Sequence, residues 1–249
     1  MTASSSTETG PAVLPAHRGP LTRSLINRCI RKAMTVFAAH RVQLPPFAFW
    51  TADDWRRHGS EADEVRDCML GWDVTDFGSG QFPQIGRTLF TLRNGRLGDP
   101  RYPKSYAEKF ILDPEGQRAP AHFHRSKRED IINRGGGNIL VQLTRTTPEN
   151  DWSEEPFSVQ VDGETVSLRP RGIVRLRPGQ SVAIPPRTIH QFWGEEGTGW
   201  TVSGEVSSVC DDHADNFFFA DLTRFPAIVE DEPRAFYLCH EYPRALVHA

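Results

Sequence analysis

GQRAPAHFHRSKREDIINRGG, residues 116–136, is the stretch on which the fold turns. His122 and His124 stand two apart, so on a strand both imidazoles leave the same face, as a shared metal ion requires. Glu129 lies five residues beyond His124, which on an unbroken strand would be the opposite face. The polar segment Arg125–Arg128 can turn the chain and reset that parity, returning the carboxylate to the imidazoles. Further on, GQSVAIPPRTIH (179–190) reads as a strand, a Pro185–Pro186 break and a short loop that brings His190 in from another strand. Three neutral imidazoles and one carboxylate suit a divalent first-row ion, with coordination positions left for a substrate. With nine histidines in the chain, an isolated HxH carries little weight, and a lone histidine is more often an ordinary part-buried side chain. The joint spacing inside β-type sequence is what points to a metal.

From about residue 85 the runs TLFTLR, KSYAEKFIL, GNILVQLTR, FSVQVDG, ETVSLR, SVAIPP and WTVSGEV recur, separated by Gly, Pro, Asn and Asp. Many short strands with turn signals and no helices between them predict an antiparallel sandwich or barrel. Asp162–Gly163 is the strongest hairpin signal. Gly135–Gly136–Gly137 lacks the Lys-Ser/Thr and helix of a phosphate loop and reads as a tight turn between strands.

The N-terminal side is helical. Leu21, Leu25, Cys29, Met34 and Phe37 fall near a 3–4 spacing with Arg23, Arg28, Arg31 and Lys32 between them, which predicts an amphipathic helix over 21–41. Pro45–Pro46 ends it. Thr51 and Asp54 resemble an N-cap and its third-position acid, and a third helical stretch is expected around Glu61–Leu70. Residues 208–249 predict one more strand and an irregular extension. Residues 1–20 are rich in Ser, Thr, Pro and Ala, lack the basic start and apolar run of a secretory signal, and read as a disordered tail. The expectation is one domain over 21–249: a helical cover to about 75, a barrel over about 85–207, and an extension over about 208–249.

An apolar share of 38% and a charged share of 24% exclude a collagen-like or wholly disordered chain. With 29 basic against 32 acidic residues the net charge is −3, which argues against a nucleic-acid partner. No apolar run approaches the roughly 20 residues that span a bilayer, so no membrane partner is expected. Cys29, Cys68, Cys210 and Cys239 form no CxxC pair and read as free thiols of a reducing, cytoplasmic setting.

The two histidine segments resemble the paired motifs of the cupin superfamily. That resemblance implies a mainly β, double-stranded β-helix (jelly-roll barrel) with the N-terminal α-helices packed outside. It also implies that His122, His124, Glu129 and His190 hold one divalent metal per subunit. Arg187 stands where the second motif usually has glycine, and Gly194 where it usually has asparagine. VQLPPFAFW, LGWDVTDFG, LFTLRNG, YAEK, HFHRSKREDIINRGGGN, GEVSSVCDD and EDEP…YLCHEY together resemble the D-lyxose ketol-isomerase family over about residues 21–244.

The family resemblance implies an aldose–ketose isomerase that interconverts D-lyxose with D-xylulose, extending to D-mannose with D-fructose. It further implies proton transfer through a cis-enediol, a homodimer, and Mn²⁺ as the metal, with Co²⁺, Ni²⁺, Fe²⁺ or Zn²⁺ able to take its place. Such chemistry needs a base that moves a proton between two carbons and a charge that stabilises the enediolate oxygen. Glu205, on a predicted strand whose same face carries Ser203 and Ser207, is the expected base. A strand glutamate is by default exposed, and the GEVSSV match is what singles it out. Glu108 and Asp211 are weaker carboxylate candidates. Glu108 and Lys109 alternate, so one of them faces inward; Lys109 is expected to do so and to stabilise the oxygen. Lys127 and Asp211 are expected to contact substrate hydroxyls, and Arg134 to be structural. Two other readings fit the same ligands: an Fe²⁺-dependent cupin dioxygenase, and a non-catalytic, metal-stabilised sugar-binding cupin.

Overall fold

In the computed structural model residues 19–219 and 222–245 are described. The expected tail therefore lies outside them except for residues 19–20, as do the last four residues of the extension. Three helices come first: α1 (Arg23–Ala39), α2 (Ala52–Arg57) and α3 (Asp63–Asp67). Then follow β1 (Gly71–Thr75), β2 (Arg87–Arg93), β3 (Tyr106–Asp113), β4 (His122–His124), β5 (Glu129–Gly136), β6 (Ile139–Arg145) and β7 (Phe157–Val161). The chain continues through β8 (Glu164–Leu168), β9 (Gly172–Leu176), β10 (Ser181–Ile184), β11 (Thr188–Gly194), β12 (Thr201–Ser208) and β13 (Asn216–Phe218).

These strands form two antiparallel sheets, in the orders β1-β2-β3-β12-β5-β10-β7-β8 and β13-β4-β11-β6-β9. Period-two alternation gives the larger sheet two buried faces. Leu89 and Ile111 pack inward with Ile131, Val141, Leu143 and Phe192, in the core shared by the sheets. Their neighbours Phe90 and Leu112 pack outward with Trp72 and Val202 against Leu25, Ile26 and Phe37 of α1. The fold is thus a cupin-type β-barrel with helices outside it. Thr22 caps α1 by accepting from Leu25 N–H, and Thr51 with Asp54 forms a full capping box on α2.

The C-terminal EDEP segment is fastened to α1 residue by residue. Glu230 binds Arg23, Asp231 accepts from Ser24 N–H at 2.8 Å, and Glu232 accepts from Asn27 Nδ2 at 2.6 Å. Val229 bridges to Thr22, and Ile228, Phe236 and Leu238 pack with the apolar face of the first helix.

Several expectations are corrected. Residues 71–75 are a fully buried edge strand of the large sheet, not part of the helical cover. The third helical stretch is only a 3₁₀ turn over Ser60–Ala62 followed by α3. Strand β9 adds to the runs legible in the sequence, β11 is the strand expected to carry His190, and the extension contributes β13 beside β4. The Asp162–Gly163 turn follows the local chemistry, whereas Gly135 and Gly136, expected in a turn, end strand β5. Asp162 and Gly163 both have positive φ between β7 and β8, as the two-residue hairpin demands. At Gly136 (φ 92°) an added Cβ would lie 2.1 Å from Trp200 O, so only glycine fits there.

Candidate active site

The ligand pattern comes from both sheets. His190 on β11 pairs directly with His122 on β4, and period two places His124 on the same face. Glu129 opens β5 in the other sheet. The link between them, residues 125–128, is pinned by Asp215, whose carboxylate accepts from Ser126 N–H at 2.8 Å and Lys127 N–H at 3.0 Å. That turn resets the parity, and Glu129 Oε1 comes to 2.8 Å from His190 Nε2 and 3.4 Å from His124 Nε2. Arg187, in the glycine position of the motif, adopts φ 60°. This left-handed backbone costs a non-glycine residue about 1 kcal/mol or more. It is held by its N–H donating to His124 O at 2.8 Å and by its guanidinium donating to Thr147 O at 2.9 Å.

The residues fit a metal ion. One ligand atom from each of His122, His124 and His190 lies within 4.8 Å of the others. His122 Nδ1 lies 2.8 Å from Pro120 O and His190 Nδ1 lies 3.0 Å from Thr188 O. Against a carbonyl, each Nδ1 must carry the hydrogen, so each Nε2 presents a lone pair. His190 Nε2 then faces Glu129 Oε1 acceptor to acceptor, and that oxygen meets no donor among the described residues. A cation reconciles the two lone pairs. Burial, reinforced by His190 and His124, pushes the His122 imidazole well below its usual range, which keeps it neutral as a ligand must be.

Opposite the histidines stand two lysines and a second glutamate. Lys109 and Glu205 are direct cross-strand partners on β3 and β12. Lys127 Nζ donates to Glu205 Oε1 at 2.8 Å and pairs with Glu129 Oε2 at 2.7 Å, while Lys109 Nζ lies 3.4 Å from Glu205 Oε1. Glu205 is 7% exposed. Burial alone would raise its carboxyl, but Lys109 and Lys127 outweigh it and hold it below the ordinary range. Burial likewise opposes the charge on Lys127, and Glu129 with Glu205 overcomes it. Lys109 also donates to Cys210 Sγ at 2.9 Å. Glu108 points away and pairs with Arg93 at 3.2 Å.

A cavity is lined by the four residues of the ligand pattern, Lys109, Lys127 and Glu205. Arg87, Asp212, Asn216, Phe218 and Arg224 complete its polar and aromatic rim. The sequence reading missed these. Asn216 and Phe218 arrive on β13, paired with His124 and His122. Asp211 does not reach the cavity: its Oδ1 accepts from His213 and Ala214 N–H, capping a surface turn. The chain leaves β12 at Ser208, so strand alternation no longer governs direction, and Asp212 is the residue that faces in. The only available signal was the doubled acid itself.

The D-lyxose isomerase family matches residues 21–242. The chain is 45% identical over 222 residues to a D-lyxose/D-mannose isomerase of Serratia proteamaculans, covering 89% of this chain and 97% of that protein. A protein of the same name from Escherichia coli O157:H7 is 44% identical over 221 residues, covering 88% and 97%. Among solved structures, L-ribose isomerase of Acinetobacter sp. DL28 in complex with L-ribose matches in fold, with a TM-score of 0.56 at 18% identity over 86% of this chain and 100% of that one. The ligand-free L-ribose isomerase of Cellulomonas parahominis gives 0.57 at 17% identity over 85% and 99%. The chain belongs to the D-lyxose isomerase family, a family of aldose–ketose isomerases.

Proposed function

We propose that this protein is a metal-dependent isomerase that interconverts D-lyxose with D-xylulose, and D-mannose with D-fructose, by proton transfer through a cis-enediol. The observation that carries the reading is Glu205 held between Lys109 and Lys127 across the cavity from three convergent histidines. His122, His124, His190 and Glu129 would hold the metal, which supplies Lewis-acid polarisation of a sugar oxygen. Glu205, kept ionised by its lysines, takes the proton from one sugar carbon and returns it to the next. As Glu205 is neutralised, negative charge grows on the substrate oxygen. Lys109 and Lys127 face the same net charge before and after, so the buried site avoids an unpaired cation at any stage. Asp212, Asn216 and Arg224 offer acceptors and donors to the remaining hydroxyls, and Phe218 an apolar face.

The relatives named for D-lyxose and D-mannose support the choice of sugars. The same reading takes Mn²⁺ as the metal, a homodimer as the assembly and the cytoplasm as the compartment, on resemblance to the family. The direct test loads chelated protein with Mn²⁺ and assays it anaerobically against D-lyxose, D-mannose and other pentoses and hexoses. Turnover of D-lyxose to D-xylulose without O₂ is expected. Oxygen uptake, or binding of the sugar without turnover, would replace this reading with one of the other two cupin readings.

A further inference from the structure

Next to the cavity-lining Arg224, β1 and the C-terminal segment bring together three side chains that the isomerase chemistry does not use. One ligand atom from each of Asp73, Cys239 and His240 lies within 4.8 Å of the others. Asp73 is 1% exposed, and Oδ1 meets no donor among the described residues. Its Oδ2 is ion-paired with Arg224, whose Nη1 also finds no acceptor there. A buried carboxylate oxygen with unmet lone pairs is costly, on the order of 1–3 kcal/mol, and calls for a partner. Cys239 is buried beside it, in a turn anchored by its N–H donating to Trp72 O at 2.7 Å. His240 is exposed and lies tilted against Phe225, with ring centroids 4.7 Å apart. It gives an ion a way in from solvent.

We propose that Asp73, Cys239 and His240 form a second divalent-cation site, one that takes borderline-soft ions such as Zn²⁺ or Co²⁺ and refuses hard Mg²⁺. A thiolate, an imidazole and a carboxylate are the donor types zinc prefers, with water able to fill a fourth position. On binding, the Cys239 S–H proton leaves to solvent and a sulfur–metal bond forms in its place. The thiolate and Asp73 carry two negative charges against the single positive charge of Arg224, so a dication is still attracted. The site shares no residue with the histidine cluster, although Arg224 also lies 3.5 Å from Asp212 of the cavity.

Cobalt distinguishes the two sites, because only a thiolate ligand gives a near-ultraviolet sulfur-to-cobalt charge-transfer band. Titrating the full chain with Co²⁺ should raise that band to saturation at about one ion per chain beyond the histidine site, and Zn²⁺ should displace it while Mg²⁺ does not. Cys239→Ser should abolish the band. His240→Ala, at an exposed position that leaves the fold intact, should weaken Co²⁺ binding at this site by about tenfold or more. His122→Ala and Cys210→Ser should leave the band in place, which separates this site from the metal of the isomerase reading. The proposal is overturned if no thiolate band develops, if the band survives Cys239→Ser, or if it disappears with Cys210→Ser.

Discussion

Arg23 and Lys127 are both buried cations flanked by two glutamates, yet they end in different conditions. Arg23 meets Glu230 at 2.8 and 2.9 Å and Glu241 at 2.5 and 3.0 Å, so each oxygen of both carboxylates receives an N–H. Lys127 meets Glu129 and Glu205 but leaves Glu129 Oε1 without a donor among the described residues. The planar guanidinium fork saturates its partners and fixes geometry. The point charge of lysine leaves capacity over, which a metal and a substrate can use. One network fastens the C-terminal segment to α1; the other is poised for chemistry.

Substitutions should separate the two. The largest effect is expected from His190→Ala: removing a ligand should lose metal and turnover together, as elemental analysis after dialysis and a D-lyxose assay would show. Next, Glu205→Gln should retain the metal while kcat falls about 10²–10⁴-fold, the usual contribution of a positioned base. If that variant keeps full turnover, the cavity network is structural like the other, and the contrast fails. Arg23→Met should do the reverse. It leaves the part-buried Glu241 with Arg234 at 3.7 Å as its remaining cation, costing about 1–3 kcal/mol and lowering Tm by roughly 2–12 °C in a chain of this size, with kcat unchanged.

The smallest effect is one of pH. Hydrogen bonds from Arg23 depress the Glu230 carboxyl from 4.5 to about 2. A carboxyl depressed in the folded state contributes stability that is complete above 4.5 and is lost as pH falls toward 2. Thermal melts across that window should show this loss in the native chain, and less of it in Arg23→Met.

Much of this was legible because the signals were periodic. The HxH spacing, the Asp162–Gly163 turn and the apolar spacing of α1 each report a local geometry that tertiary packing had no reason to override. Glu129 reaches the histidines only through a turn, and Asp215, whose carboxylate holds that turn, lies 86 positions away in sequence. Strand β1 was hidden because all five of its residues are buried, so it shows no alternation and abuts a helical stretch. Asp212 and Arg224 enter the cavity from irregular chain, where no period predicts side-chain direction. Asp211 was chosen over its neighbour for the same reason. Unlike the histidines, these residues are positioned by contacts far apart in the chain.

The central claim is that Glu205 moves a proton that exchanges with solvent. Turnover of D-lyxose by Mn²⁺-loaded protein in D₂O, followed by NMR of the D-xylulose formed, tests it most directly. Deuterium should appear at C1 of the product, at a rate that collapses with turnover in Glu205→Gln. Product that carries no deuterium at C1 at any extent of reaction would contradict proton transfer and point to hydride migration from C2 instead.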